Sequence, residues 1–193
     1  MTHPVQGSVT WDGVTPAVET IHELLWRFTT SGALRIALQQ IRLAPDPDGG
    51  QDSPGDSPEV HEVIDEIADV GGNLVSLPRR DAVRADAEIS AQLDAAFARL
   101  WADVAADLGQ SPDMLSVLLD ADGQRLVYVT FDVAVTAREL AERPQHPALH
   151  GGAHHIAHHA PALDDLRDRL APPEPSRICQ AWDELRETLR RLR

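Results

Sequence analysis

Histidines form the densest group of ligand-type side chains in this chain. His146, His150, His154 and His158 recur every fourth residue, and His155 and His159 make a second pair four apart. Two imidazoles one helical turn apart can grip a single divalent ion from one helix face. A zinc-type reading therefore names His150, His154, His155, His158 and His159 as metal ligands. Pro147 and Gly151-Gly152 interrupt any helix through the whole run, so only His154 to His159 makes a continuous turn and a half. A catalytic zinc also takes a third protein ligand held by an ordered outer shell. No Glu or Cys stands at a recognisable offset, and Asp164-Asp165 is the nearest carboxylate pair. The expectation is a solvated His-rich connector with adventitious metal affinity and no cofactor, zinc being the alternative. His22 and His61 fall at helical positions suited to core-edge or surface roles.

Other chemical motifs break off early. His150-Gly151-Gly152 has the look of an esterase oxyanion loop, yet no G-x-S-x-G elbow supplies a serine. Asp46-x-Asp48-Gly49 and Asp120-x-Asp122-Gly123 start like calcium loops but lack the continuing ligands and the acid at position 12, so both read as turns. Walker, G-x-G-x-x-G and paired-cysteine patterns are missing. Cys179 has arginine neighbours at Arg177 and Arg186 but no flanking histidine, which favours an idle thiol over a nucleophile. The four tryptophans are dispersed, as core residues are. A non-enzymatic protein is expected.

The formal charge is −14, and its distribution says more than its total. Asp46, Asp48, Asp52, Asp56, Glu59, Glu62, Asp65, Glu66 and Asp69 lie between Leu43 and Pro78 with no basic residue among them. The stretch from Leu163 to Arg193 is balanced instead, with seven acids and seven arginines. Such an acidic body repels phosphate backbones and attracts basic partners, although solubility alone would also account for it. All 17 basic residues are arginine, scattered along the chain, which reads as high-GC codon bias and not as phosphate recognition. No apolar run nears the ~18 residues of a membrane span. Met1-Thr2-His3-Pro4 does not open a secretory signal, and a single cysteine fits a reducing cytoplasm.

These groups need elements to position them. Ile89, Leu93, Phe97, Leu100, Trp101, Val104 and Leu108 step by three and four, predicting a helix over 86–108 that Gly109 terminates. Met114–Leu119 and Leu126–Phe131 predict two strands joined at Asp122-Gly123. Thr15-Pro16 opens a helix over 16–29 with Val18, Ile21, Leu25 and Phe28 on its buried face. Leu34 to Leu43 alternates with one phase slip after Leu38, predicting a strand with a bulge, or else a continuing helix. Residues 44–57 are loop by composition. Val60, Val63, Ile64 and Ile67 keep helical spacing up to Gly71-Gly72, while a rival reading makes that pair a hairpin turn between strands. Ala137–Arg143 and Leu163–Leu170 suit short helices. After Pro172–Pro175, the stripe Ile178, Trp182, Leu185, Leu189 and Leu192 predicts a last helix, too short for a coiled coil and expected to pack on its own domain.

The order helix, strands, acidic loop, long helix and a hairpin reading L-L-D-A-D-G-Q-R-L-V-Y-V-T-F-D (Leu118–Asp132) resembles the YezG-like antitoxin or immunity family. Asp122-Gly123 matches that family's turn, and Phe131-Asp132 matches the first half of its F-D-Y-D strand ending. Val133-Ala134 replaces the second half, and Ser111-Pro112-Asp113-Met114 stands where the family has an aromatic G-T-W-F entry. The resemblance favours strands on both sides of Gly71-Gly72. It implies a small acidic α+β protein that neutralises a cognate toxin by binding it.

The expected fold is α+β: helices packed on a mostly antiparallel sheet, with a helical C-terminal extension. Its divisions are an acidic domain over 1–143, a His-rich connector over 144–160 and the extension over 161–193. The expected partner is a toxin with a basic surface, met by the nine acids from Asp46 to Asp69. Nucleic acid and membrane are not expected partners, and a monomer is favoured over a homodimer.

Overall fold

A computed structural model of the chain describes residues 7–13, 15–46, 59–143 and 146–171. The elements run β1 (Ser8–Trp11), α1 (Pro16–Trp26), β2 (Ala33–Arg42), β3 (Val60–Val70), β4 (Asn73–Pro78), α2 (Arg80–Ala85), α3 (Ala87–Leu108), β5 (Met114–Asp120), β6 (Arg125–Thr130), α4 (Ala137–Glu142), α5 (Gly152–His158) and α6 (Ala160–Leu170). The six strands form one sheet in the order β1-β6-β5-β2-β3-β4, antiparallel at every pairing. This is the expected α+β architecture, with helices on both faces of the sheet. Among the described residues no helix is long and apolar enough to cross a membrane.

Local chemistry sets the front layer. The Thr15 side chain accepts the Ala17 N–H, and Pro16, which needs no donor partner, occupies the first turn of α1. Asp86 caps α3 by accepting from Glu88 and Ile89, and Gly109 closes it in the left-handed conformation at φ 70°. Ile21 and Leu25 of α1 and Leu93 and Leu100 of α3 are fully buried against Leu38, Ile64 and Leu115 of the sheet. Burying an aliphatic side chain of this size contributes about 1.5–3 kcal/mol, so this layer dominates stability. Trp11 docks at its edge, its Nε1–H donating to Asp107 at 2.7 Å.

The strand β3 overturns the helical spacing of Val60–Ile67. Cross-strand pairing with β2 places Glu62, Ile64, Glu66 and Ala68 on the front face and His61, Val63, Asp65 and Ile67 on the back. Because both faces are covered, Ile64 and Ile67 are both buried, and a two-sided strand imitates a helical stripe. Gly71 (φ 62°) and Gly72 (φ 87°) supply the two positive φ angles of the tight hairpin turn to β4. The phase slip in β2 has the same origin. Leu38 is buried in front and Ile41 behind, with unbroken register between them, while the irregularity in pairing with β3 lies between Ala33 and Arg35. At the β5–β6 hairpin, Asp120 and Gln124 still share a backbone hydrogen bond, so the loop is Ala121-Asp122-Gly123, with Gly123 at φ 90°.

Behind the sheet lie α5 and α6. Leu163 packs with Ala37, Ile67 and Leu118, and Leu74, Leu126, Tyr128 and Ile156 complete this smaller core. The segment expected as a connector over 144–160 thus carries α5 and belongs to the same packed body, as does the first part of 161–193. The loop 44–57 beyond Asp46 and the stripe from Ile178 to Leu192 lie outside the described residues.

Candidate functional site

The back face of the sheet builds a cavity beneath α5. Arg35, Gln39, Ser116, Asp120 and Tyr128 project on this side from β2, β5 and β6, as the register pairs Arg35↔Asp120, Gln39↔Ser116 and Ser116↔Tyr128 require. Gln39, fully buried, ties the chain before α5 to the sheet. Its amide donates to Ala148 O at 2.8 Å and its carbonyl accepts the His150 N–H at 2.9 Å. Asp65 Oδ2 accepts the Gly152 N–H at 2.7 Å, fixing the first turn of α5. Gly151 and Gly152 let the helix lie this close, because a Cβ on Gly151 would come within 2.6 Å of Asp65 Oδ2 and one on Gly152 would strike Ser76 Oγ.

Pinned in this way, α5 and the residues flanking it bring His150, His154, His155 and His159 to a partly enclosed cavity of about 300 Å³. Its sheet side is Met114, Ser116, Leu118, Leu126 and Tyr128, with Arg35 at one end. His155 is 7% exposed, and neither Nδ1 nor Nε2 has a hydrogen-bond partner in the protein; the buried Ser116 Oγ lacks one too. Burial, helped by His159 and Arg35, pushes the His155 pKa down to about 3. Burial lowers His150 and His154 as well, so His150, His154 and His155 are neutral imidazoles at neutral pH. The Ser116 hydroxyl and His155 are not bonded to each other, so no serine–histidine dyad exists in this arrangement.

The expected ligand set is only partly assembled. His150 and His154 stack at 4.4 Å between ring centroids, and His154 and His158 lie 4.6 Å apart. His158 is exposed and borders a neighbouring hollow with Asp65 and His146. Among the described residues no group of three His, Cys, Asp or Glu side chains is arranged to hold a metal ion. No protein-family model matches the chain, and no curated protein matches it either.

The acidic run divides among different tasks. Glu66, with no exposed surface, accepts from the Thr30 N–H at 3.0 Å and Arg79 Nε at 2.8 Å. Glu62, 8% exposed, accepts from Gln40 at 3.0 Å and Arg84 Nε at 2.8 Å, with Arg80 at 3.8 Å. The hydrogen bond that Arg84 donates to Glu62 raises the Arg84 pKa above its ordinary value. Asp65 holds α5, and Asp69 accepts the Gly72 N–H at 2.6 Å and meets Arg167 at 3.5 Å. All four of these acids hold the chain to itself, Glu62 and Glu66 from buried positions and Asp65 and Asp69 from half-buried ones. Glu59 is exposed and Asp46 half-buried, while Asp48, Asp52 and Asp56 lie outside the described residues.

Sequence reasoning missed Ser116, Arg35, Asp120, Gln39 and Tyr128. The available signal was polar residues interrupting apolar strands, at Arg35, Gln39 and Gln40 in ALRIALQQIR and at Ser116 and Asp120 in MLSVLLD. Gln40 turns out to serve the front, where its carbonyl accepts from Trp101 Nε1 at 2.9 Å. Arg42 lies 4.1 Å over the Trp101 ring.

Proposed function

We propose that this chain is a non-catalytic, cytoplasmic binding protein of the immunity or antitoxin type, recognising a toxin that carries a basic surface. The observation that carries this reading is the distribution of charge after folding. Arg35, Arg79, Arg84, Arg125, Arg167 and Arg169 each pair with a carboxylate of the same chain. Exposed carboxylates are nonetheless grouped: Asp86 and Glu88 with Asp81, which meets Arg80, around α2 and the start of α3, and Asp165 and Asp168 with Asp164, which meets Arg167, on α6. The recognition surface thus moves from the 46–69 run to these helices, with Glu59 retained. Charge of this kind steers encounter and raises the association rate more than the final affinity. The resemblance of the 118–132 hairpin to YezG-like proteins supports the same reading.

The test is functional and direct. The neighbouring gene should encode a toxin domain, co-expression with it should rescue growth, and the purified pair should associate more slowly as salt rises. Charge reversal at Asp81, Asp86 and Glu88 together, or at Asp164, Asp165 and Asp168 together, should slow association in at least one case. A neighbouring toxin that still kills co-expressing cells would end the proposal.

A further inference from the structure

We infer that the cavity beneath α5 is a binding site for a small uncharged aromatic molecule bearing one hydrogen-bonding group, such as a phenol or a primary amide. The inference does not rest on the partner-binding reading, and either can fail without the other.

Two of the residues that line the cavity carry buried polar atoms with nothing in the protein to bond. Ser116 Oγ comes from the sheet and the His155 ring from the helix above it. Leaving such groups unpaired costs about 1–3 kcal/mol each, a cost that a ligand reaching both would remove. A hydroxyl or amide suits both, since a neutral imidazole has one donor and one acceptor nitrogen and a serine hydroxyl serves as either.

The remaining walls choose the body of the ligand. Met114, Leu118, Leu126 and the Tyr128 ring give an apolar lining, and sulfur and ring faces are favourable partners for an aromatic ring. A cavity of about 300 Å³ has room for one ring and a substituent. Charge is disfavoured on either sign. The Arg35 guanidinium already donates to Asp120 through two hydrogen bonds of 2.5 and 2.8 Å, so an anion has to compete with that carboxylate. Among the described residues that line the cavity there is no carboxylate to receive a cation, and burying an unpaired ion is costly.

Calorimetry and thermal melting of the full chain with phenol and benzamide test the inference, with benzene, benzoate and zinc chloride as comparators. Phenol or benzamide should bind saturably at one per chain, raise the melting temperature by mass action, and shift the His155 ring ¹⁵N resonances. Ser116→Ala should weaken that binding about five- to tenfold with the fold intact by circular dichroism. Benzene binding as tightly as phenol would overturn the polar recognition, and benzoate binding as tightly would overturn the preference for neutral ligands. One zinc per chain with displacement of the aromatic would make the cluster a metal site instead. If neither aromatic binds saturably, water alone fills the cavity and the inference fails. Should Ser116→Ala unfold, the His155 resonances of the native chain decide: binding without a shift places the ligand elsewhere.

Discussion

Arg35 and Asp120 sit directly opposite each other on β2 and β5, joined by Nε to Oδ1 at 2.5 Å and Nη2 to Oδ2 at 2.8 Å, with side chains 7% and 1% exposed. This geometry makes the pair asymmetric to mutation. Removing one partner strands a buried charge, which typically costs 3–5 kcal/mol, whereas replacing both by apolar residues is often near neutral. Asp120→Ala should therefore lower the unfolding free energy by about 3–5 kcal/mol in urea titration. Arg35→Met with Asp120→Leu should recover most of that loss.

The approach of α5 to the sheet gives a second expectation. Gly152 has no room for a Cβ between Ser76 and Asp65, so Gly152→Ala forces the helix away from β3 and β4. Overpacking of this kind costs about 1–3 kcal/mol. Gly152→Ala combined with Ser76→Gly should restore part of the stability, as read from denaturant midpoints. A single variant as stable as the native chain would contradict the placement of α5.

His155 predicts a pH dependence with a definite sign. Its folded pKa is about 3, below the ordinary 6.5, so the unfolded chain binds more protons between these values. Stability from this group is complete above pH 6.5 and falls as pH drops toward 3. The slope is at most about 1.4 kcal/mol per pH unit. Carboxylates join below about pH 5, and His150 and His154 shift in the same direction, so the comparison is made with a variant. His155→Leu should show a shallower loss of stability between pH 6.5 and 5 than the native chain. Equal slopes would mean that His155 is solvated.

The C-terminal stripe yields a fourth expectation. Ile178, Trp182, Leu185, Leu189 and Leu192 are too apolar for a helix standing in water, and a helix of this length is marginal without packing. One short stripe offers little area for a stable dimer, so packing on its own body is expected. Light scattering should find both the full chain and a 1–171 truncation monomeric. A dimeric full chain beside a folded monomeric truncation would make the segment an assembly element.

Local signals carried the sequence reading wherever an element completes its own instructions. The α3 stripe from Ile89 to Leu108 and its Gly109 stop lie within one segment, and so do the β5–β6 strands and their glycine turn. The same holds for Thr15-Pro16 at α1. The α+β class followed from these pieces. Tertiary structure decided what no segment contains. Burial on both faces hid the period of two in β2 and β3, so Val60–Ile67 kept helical spacing while pairing as a strand. Which acids meet solvent depended on the strand face, since Glu62 and Glu66 turn inward to arginines from the chain following β4 and from α2, while Asp65 turns back to α5. The histidine spacing was visible, but its meaning was not. Only the sheet beneath α5, reached through Gln39, Asp65 and two small glycines, brings His155 and Ser116 to the lining of one cavity and buries both. Pairing between residues distant in sequence sets that arrangement, and a period read along one segment carries no record of it.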